Sequence, residues 1–238
     1  NVRNVVPRPS ISPLLSSCTK FERNVLEVEI QIPGLAKPLV VFVAHLKSQS
    51  ARVNEDKTEA HPDWDSRFQY FFRSRSLSQA TQIIQRTAEA MMLRDYIMEK
   101  VIANPDQGFA LIGDLNEAPE GIMLRVLTQH DGIGPIANTF FDKLSEEQQA
   151  LSSRYRLFDT RWLVGPQTLR YPETHGADLI YPASTLDYIL VSNSLNPRNA
   201  DRIADTKDVK IFANHLLRNG ELREESDHAP VLTQFETR

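Results

Sequence analysis

At 238 residues, with 41% hydrophobic and 24% charged side chains, the chain has the composition of an ordinary globular protein, and the disordered and fibrous classes are excluded. A formal net charge of -4 excludes a protein that holds nucleic acid by bulk electrostatics alone and leaves only a local basic cleft for that purpose. The single cysteine, Cys18, excludes an internal disulfide framework and a cysteine-based zinc site, and it leaves the compartment open.

No apolar run approaches the roughly 18 residues of a membrane span, and the first residues, "NVRNVVPRPS", carry no signal-peptide core. They also carry no initiator Met, the mark of a processed or trimmed chain. In chain order, "VLEVEIQI" places Leu26, Val28, Ile30 and Ile32 on one side and Glu27, Glu29 and Gln31 on the other, the period of a half-solvated strand. After a connection containing Gly34 and Pro38, "LVVFVA" (39–44) is a continuous apolar run, as expected of a strand covered on both faces. From Gln49 to Arg75 the sequence is polar, charged and aromatic with no sustained period, which predicts a long surface excursion. A helix is then predicted, capped by Ser76 with Gln79, with Ala80, Ile84, Met91 and Met98 as its core stripe.

Asn104, Pro105, Asp106 and Gly108 turn the chain into "FALIG", another short buried strand. A second irregular region, 119–170, contains Gly132 and Gly134 and a charged "DKLSEEQQALSSRYR" suited to a short helix. "STLDYILVS" (184–192) is a third apolar strand, and "IFANHLL" with "HAPVLTQFE" supplies a last strand pair. Strands alternating with a helix signal a layered α/β fold, and without a linker or repeat a single domain over 1–238 is expected.

Polar clusters sit at the ends of these runs: His45-Leu46-Lys47-Ser48, Asp114-Leu115-Asn116, Asp187 and Ser226-Asp227-His228. Polar groups converging on one sheet edge are how layered folds build pockets. A phosphoester under attack needs a group to orient or deprotonate water, donors for the nonbridging oxygens, and usually a hard cation. Asp114 suits the water, Asn116 and two imidazoles suit the oxygens, and Asp227 suits an oxygen-ligated cation. Each residue also has a bland reading: His45 as a structural histidine, Asp114 and Asn116 as turn and cap residues. Asp187 within an apolar strand resists that reading, because a buried carboxylate needs a partner, and a histidine is the natural one.

Together, "HLKS" at 45–48, "GDLN" at 113–116, "LDYILVS" at 186–192 and "SDHAPV" at 226–231 resemble the endonuclease/exonuclease/phosphatase superfamily, the fold of DNase I. The resemblance, anchored from about residue 25 to 235, implies a four-layer α/β sandwich that hydrolyses phosphoesters with Mg²⁺, or Mn²⁺ or Ca²⁺ in its place. By motif position it implies that Asp114 activates water, Asn116 binds the scissile phosphate, and His228, oriented by Asp187, stabilises the transition state. It further implies that Asp227 lies at or near the metal and that His45 contacts phosphate or assists the leaving group; Lys47 and Ser48 either touch substrate or merely shape the strand end.

The family also places an Asn and a principal metal-binding Glu well ahead of the "HLKS" strand. Here 44 residues precede His45, and Glu22, Glu27 and Glu29 fall in or beside the edge-like strand. The sandwich is therefore expected to be incomplete at its N-terminus, with the metal Glu absent from this sequence or upstream of Asn1.

The superfamily spans DNA, RNA, phosphoinositides, sphingomyelin and small nucleotides, with specificity in loops. The 49–75 excursion interleaves Arg52, Arg67, Arg73 and Arg75 with Trp64, Phe68, Tyr70, Phe71 and Phe72, a mixture that can track a nucleic-acid backbone and stack on bases or simply pack on its own domain. His61 and His175 have no motif context and are expected to be solvated; His215 is expected to be structural. The readings carried forward are a cation-dependent phosphodiesterase, most plausibly a DNase I-like nuclease of bacterial type acting on DNA or RNA; a noncatalytic scaffold on the same fold; and a lipid or small-molecule phosphoesterase.

Overall fold

The computed structural model describes residues 1–7, 18–129, 144–164, 173–176, 184–217 and 226–238. Its strands are β1 (Val2–Asn4), β2 (Leu26–Ile30), β3 (Leu39–Val43), β4 (Phe109–Asp114), β5 (Leu157–Asp159), β6 (Asp187–Ser192), β7 (Ala204–Ile211) and β8 (Val231–Thr237). Its helices are α1 (Glu55–Glu59), α2 (Trp64–Ala103), α3 (Ile122–Thr128), α4 (Glu146–Ser153) and α5 (Thr160–Leu163). Strands β1 to β6 form one sheet in the order β1-β2-β3-β4-β6-β5, and β7 and β8 form an antiparallel pair. Within the large sheet β3 and β4 are parallel, joined through α2, while β4 and β6 are antiparallel.

The three strands read as apolar runs are covered on both faces, for a reason visible in their alternation. Val40, Phe42, Phe109, Leu111, Tyr188 and Leu190 face a core shared with Ala90, Leu93 and Ile97 of α2 and Met123 and Leu127 of α3. The intervening Leu39, Val41, Ala110 and Val191 face a second core that continues into Ala204 of β7 and Phe235 of β8. Helices, six-stranded sheet and second sheet thus make three layers of an α/β sandwich among the described residues. The helix expected near "LSSRYR" is α4, opened by a capping box between Ser145 and Gln148.

Several expectations are corrected. Residues 64–75 are not an irregular excursion but the first part of α2, a helix of 40 residues spanning about 60 Å. The Asp63 side chain accepts from Ser66 N–H and caps it, so Ser76 and Gln79 lie mid-helix and not at a start. Ala80 and Ile84 are exposed, and the buried stripe is Arg86, Ala90, Leu93, Ile97 and Val101. The partner of β8 is the charged stretch Ala204–Ile211, of which "IFANHLL" shares only Ile211; Asn214–Leu217 is a 3-10 turn. The region 119–170 holds α3, α4, β5 and α5, while Gly132 and Gly134 lie outside the described residues.

Strand β2 inverts its expected polarity. Glu27 is buried, whereas Leu26 and Ile30 are exposed. The Glu27 carboxylate faces α2, where it accepts from Tyr96 Oη at 2.6 Å and Lys100 Nζ at 3.1 Å, and it pairs with Arg3 from β1. Burial alone would raise its pKa, but these three donors outweigh it and hold the carboxyl at about 2, while burial and the neighbouring Glu27 push the Tyr96 hydroxyl up to about 12. Because the folded-state value lies below the ordinary glutamate value of 4.5, this stabilisation is complete above that pH and is lost as pH falls from there toward about 2. Glu27→Gln should cost about 3 kcal/mol at neutral pH. Urea unfolding at several pH values checks it: the variant's stability should change less than the wild type's across that acidic window.

Candidate active site

The site begins with a close approach of two strand ends. Gly113, at φ 128°, lies against Ala44, and a Cβ on it would fall 2.0 Å from the Ala44 carbonyl oxygen. No L side chain fits there, and the positive φ is itself one that glycine adopts freely. Parallel pairing continues past the strands, with Ala44 N–H donating to Ile112 O at 2.9 Å and Leu46 N–H to Asp114 O at 3.0 Å. His45 and Asp114 therefore leave the sheet side by side, and His45 Nε2 lies 3.3 Å from Asp114 Oδ2.

The antiparallel register of β4 and β6 sets Asp114 directly opposite Asp187. Like charges so placed repel, and Asp114 is largely withdrawn from solvent. Burial first, and the Asp187 charge with it, raises the Asp114 pKa, against the Asn116 backbone N–H and the imidazoles of His45 and His228, which lower it. His228 relieves the repulsion: its Nδ1 lies 2.8 Å from Asp187 Oδ2, and its Nε2 lies 3.9 Å from Asp114 Oδ2, facing it without a hydrogen bond. The bond to Asp187 is the main cause of a raised His228 pKa, while burial, with the positive charges of Arg23 and His228, lowers that of exposed His45.

Asn116 is buried at φ 52°, a left-handed conformation that Asn tolerates. Its backbone N–H donates to Asp114 Oδ1 at 2.8 Å, and its side-chain Nδ2 donates to Asp114 Oδ2 and to Leu46 O, both at 3.1 Å. Both amide hydrogens are thus engaged in fixing Asp114 and the "HLKS" turn. Lys47 is engaged too: its Nζ lies 2.5 Å from Glu22 Oε2, and its backbone N–H donates to Glu89 Oε2 at 2.8 Å. Ser48 Oγ accepts from Ser50 N–H. Asp227 is exposed, 3.6 Å from His175 Nε2.

A family model described as Endonuclease/Exonuclease/phosphatase family matches residues 12–228. The chain belongs to this family. Among solved structures, the human Nocturnin catalytic domain, determined with a bound sulfate anion, is 14% identical, with a TM-score of 0.51, covering 100% of this chain and 59% of that one. TDP2 from Caenorhabditis elegans, in truncated form, is 13% identical over 98% of this chain and 64% of that one, with a TM-score of 0.46. An endonuclease/exonuclease/phosphatase from Beutenbergia cavernae is 15% identical over 100% of this chain and 44% of that one, with a TM-score of 0.45. The chain thus spans less than two thirds of the length of each, and the likeness to Nocturnin shows the fold, that of DNase I-like proteins. No curated protein matches.

Within the family frame, the structure adds residues that the motifs did not reveal. Arg86 and Glu89 of α2 hold the "HLKS" and "GDLN" turns together: Arg86 donates to Glu117 Oε2 at 3.2 Å and to Lys47 O at 3.3 Å, while Glu89 accepts from the backbone N–H groups of Glu22 and Lys47. Their signal was present as two charged residues on the apolar stripe of a helix. Thr174 Oγ1 accepts from Leu186 N–H and Asp187 N–H, and Thr174 O accepts from Ala229 N–H at 2.7 Å, tying β6 to the "SDHAPV" turn. His175, expected in solvent, is instead half-buried, bridging Ser184 and His228 with its ring 5.0 Å from that of His228. His61 stacks on Tyr70 rather than lying free, and His215 Nε2 contacts the His228 carbonyl oxygen at 3.1 Å, as a structural histidine would.

Mg²⁺ and Ca²⁺ take oxygen ligands. Among the described residues, the group of three ligating atoms within 4.8 Å of one another is His175, Asp227 and His228, two imidazoles and one carboxylate. This donor set does not fit a hard cation.

The Gly113–Ala44 approach yields a direct expectation. Gly113→Ala should destabilise the fold by about 3 kcal/mol or more, through strain at the positive φ together with the backbone clash. Denaturant unfolding measures the loss, and a ΔΔG below about 1 kcal/mol would show that the strand ends can separate at little cost.

Proposed function

We propose that the chain is the catalytic part of a phosphoester hydrolase, most plausibly a phosphodiesterase or nuclease. The observation that carries this reading is the convergence of Asp114, Asp187 and His228 at one sheet edge, with His228 anchored to Asp187 through Nδ1 and its Nε2 left to face Asp114. A carboxylate whose proton affinity is raised by burial accepts a proton from water more readily than an ordinary one, which suits Asp114 to orient and deprotonate the nucleophile. An imidazole whose proton affinity is raised by its hydrogen bond to Asp187 suits His228 to donate to a nonbridging oxygen as negative charge grows there. His45, beside Asp114 and open to solvent, is placed to meet phosphate or the leaving oxygen. Asn116 positions Asp114 as it stands, and donating to phosphate would exchange one of its two amide bonds for that contact.

A noncatalytic scaffold accounts less well for the same features. Two facing carboxylates, one of them largely buried, cost stability, and such perturbed groups cluster where chemistry requires them. Dependence on a divalent cation, with Asp227 beside it, belongs to this proposal through the family. Further oxygen ligands, a Glu upstream of Asn1 in the gene product among them, would have to join Asp227.

For substrate, the outer part of α2 supports nucleic acid. Trp64, Phe68 and Phe72 are exposed and form a ladder with ring centroids 5.7 and 6.3 Å apart, and Arg67 lies over the Trp64 ring. Exposed rings flanked by Arg suit bases and their backbone. Among the described residues, these three rings are more than half exposed.

The test uses the full gene product with plasmid DNA, a generic phosphodiester and sphingomyelin in parallel. Asp114→Asn, checked for folding by circular dichroism, should lower kcat at least about a hundredfold on whichever substrate is cleaved. Retained activity in that variant would refute the role of Asp114, and cleavage of sphingomyelin alone would replace the nuclease reading with the lipid one.

A further inference from the structure

The segment 173–176 brings a second histidine to the site and fixes it by main-chain bonds. His175 N–H donates to Ser184 O at 2.9 Å and its carbonyl accepts from Ser184 N–H at 3.1 Å, while Gly176 N–H donates to Asp227 O at 2.9 Å. With Nδ1 of His175 buried, Nε2 is the nitrogen the ring presents, and it lies 3.6 Å from Asp227 Oδ2. His228 has committed Nδ1 to Asp187 and so presents Nε2 as well.

From this geometry we infer that His175, Asp227 and His228 form a site for a borderline cation of the Zn²⁺ class, and that its occupancy takes the His228 imidazole away from phosphate. The ligating atoms of the three residues lie within 4.8 Å of one another. Two ligands of a tetrahedral zinc are roughly 3.3 Å apart, from bond lengths near 2.0–2.2 Å. The 3.6 Å pair is close to that spacing, and closing the rest takes a swing of the exposed Asp227 side chain together with a small shift of the two rings. Two imidazoles with one carboxylate suit Zn²⁺, Co²⁺ or Ni²⁺, whereas Mg²⁺ prefers oxygen alone. The Asp187–His228 pair already has the carboxylate–histidine arrangement that orients a metal-binding ring and strengthens its free nitrogen as a ligand. Exposure of Asp227 leaves an entry path and room for a water as the fourth ligand.

Binding requires the neutral ring, so a proton carried by His228 passes to solvent as the metal–nitrogen bond forms. A coordinated Nε2 then has no hydrogen for a phosphoryl oxygen, and metal and phosphate exclude each other at this residue. That consequence rests on the phosphoesterase reading; the binding itself does not.

The test takes the chelator-stripped protein and adds Co²⁺ as a spectroscopic stand-in for Zn²⁺. Visible absorption bands should grow to saturation at one equivalent and disappear when Zn²⁺ displaces the Co²⁺, while millimolar Mg²⁺ leaves them in place. His175→Ala and Asp227→Asn should each weaken Co²⁺ at least about tenfold; the second alters an exposed side chain and keeps the fold. Absence of the bands, affinities unchanged in both variants, or displacement by Mg²⁺ would each overturn the site. Because these readouts need no turnover, they stand apart from the hydrolase assay. Zn²⁺ that binds at one equivalent yet leaves hydrolysis by the gene product unaltered would overturn the exclusion of phosphate alone.

Discussion

The contact between Gly113 and the Ala44 carbonyl is the constraint on which the site depends. Two parallel strands normally diverge as they leave a twisted sheet, and their end residues separate into different loops. A glycine at positive φ lets the backbones stay in contact to the strand ends, so the first polar residue at each end emerges beside the other. His45 and Asp114 are neighbours for that reason. Asp187 joins them because the antiparallel register of β4 and β6 pairs it with Asp114. Helix α2 locks the arrangement from behind, with Arg86 and Glu89 spending their charges on the backbone and side chains of the two turns.

The electrostatics follow from that geometry. Two carboxylates placed opposite each other at the edge of a core would repel with little water to screen them. His228 sits between them, bound to one and facing the other, and converts the repulsion into a division of labour. Asp187 orients the imidazole and raises its proton affinity, and burial raises that of Asp114. On the proposals made above, a phosphoryl oxygen and a borderline cation would both seek His228 Nε2, the ring nitrogen that Asp187 leaves open.

Much of this was legible in the sequence because polar residues at the ends of apolar runs are hard to explain otherwise. The three central strands and the pairing of a carboxylate in "LDYILVS" with a histidine followed from that pattern, and the family from the resemblance of four motifs in chain order. What escaped had physical causes. The outer half of α2 makes no buried contact, so no apolar period marks it; its true signals were Asp63 as a cap, Asp65 in the first turn and 40 residues without Gly or Pro. Strand β2 buries Glu27 because Arg3, Tyr96 and Lys100 meet it from three other positions in the chain, which no alternation within β2 can reveal. His175 and Thr174 act through backbone bonds to residues 9 to 55 positions away, and such bonds leave no mark on side-chain pattern.

The central claim is that His228 Nε2, set by Asp187, is the group that meets phosphate at this edge. Nitrogen-resolved NMR of the histidine rings during titration with inorganic phosphate tests it most directly. The account predicts a saturable shift of His228 Nε2, with Nδ1 remaining protonated toward Asp187 and His61, on the outer helix, unmoved. A His228 ring that does not respond to phosphate, or that responds no more than His61, would contradict it.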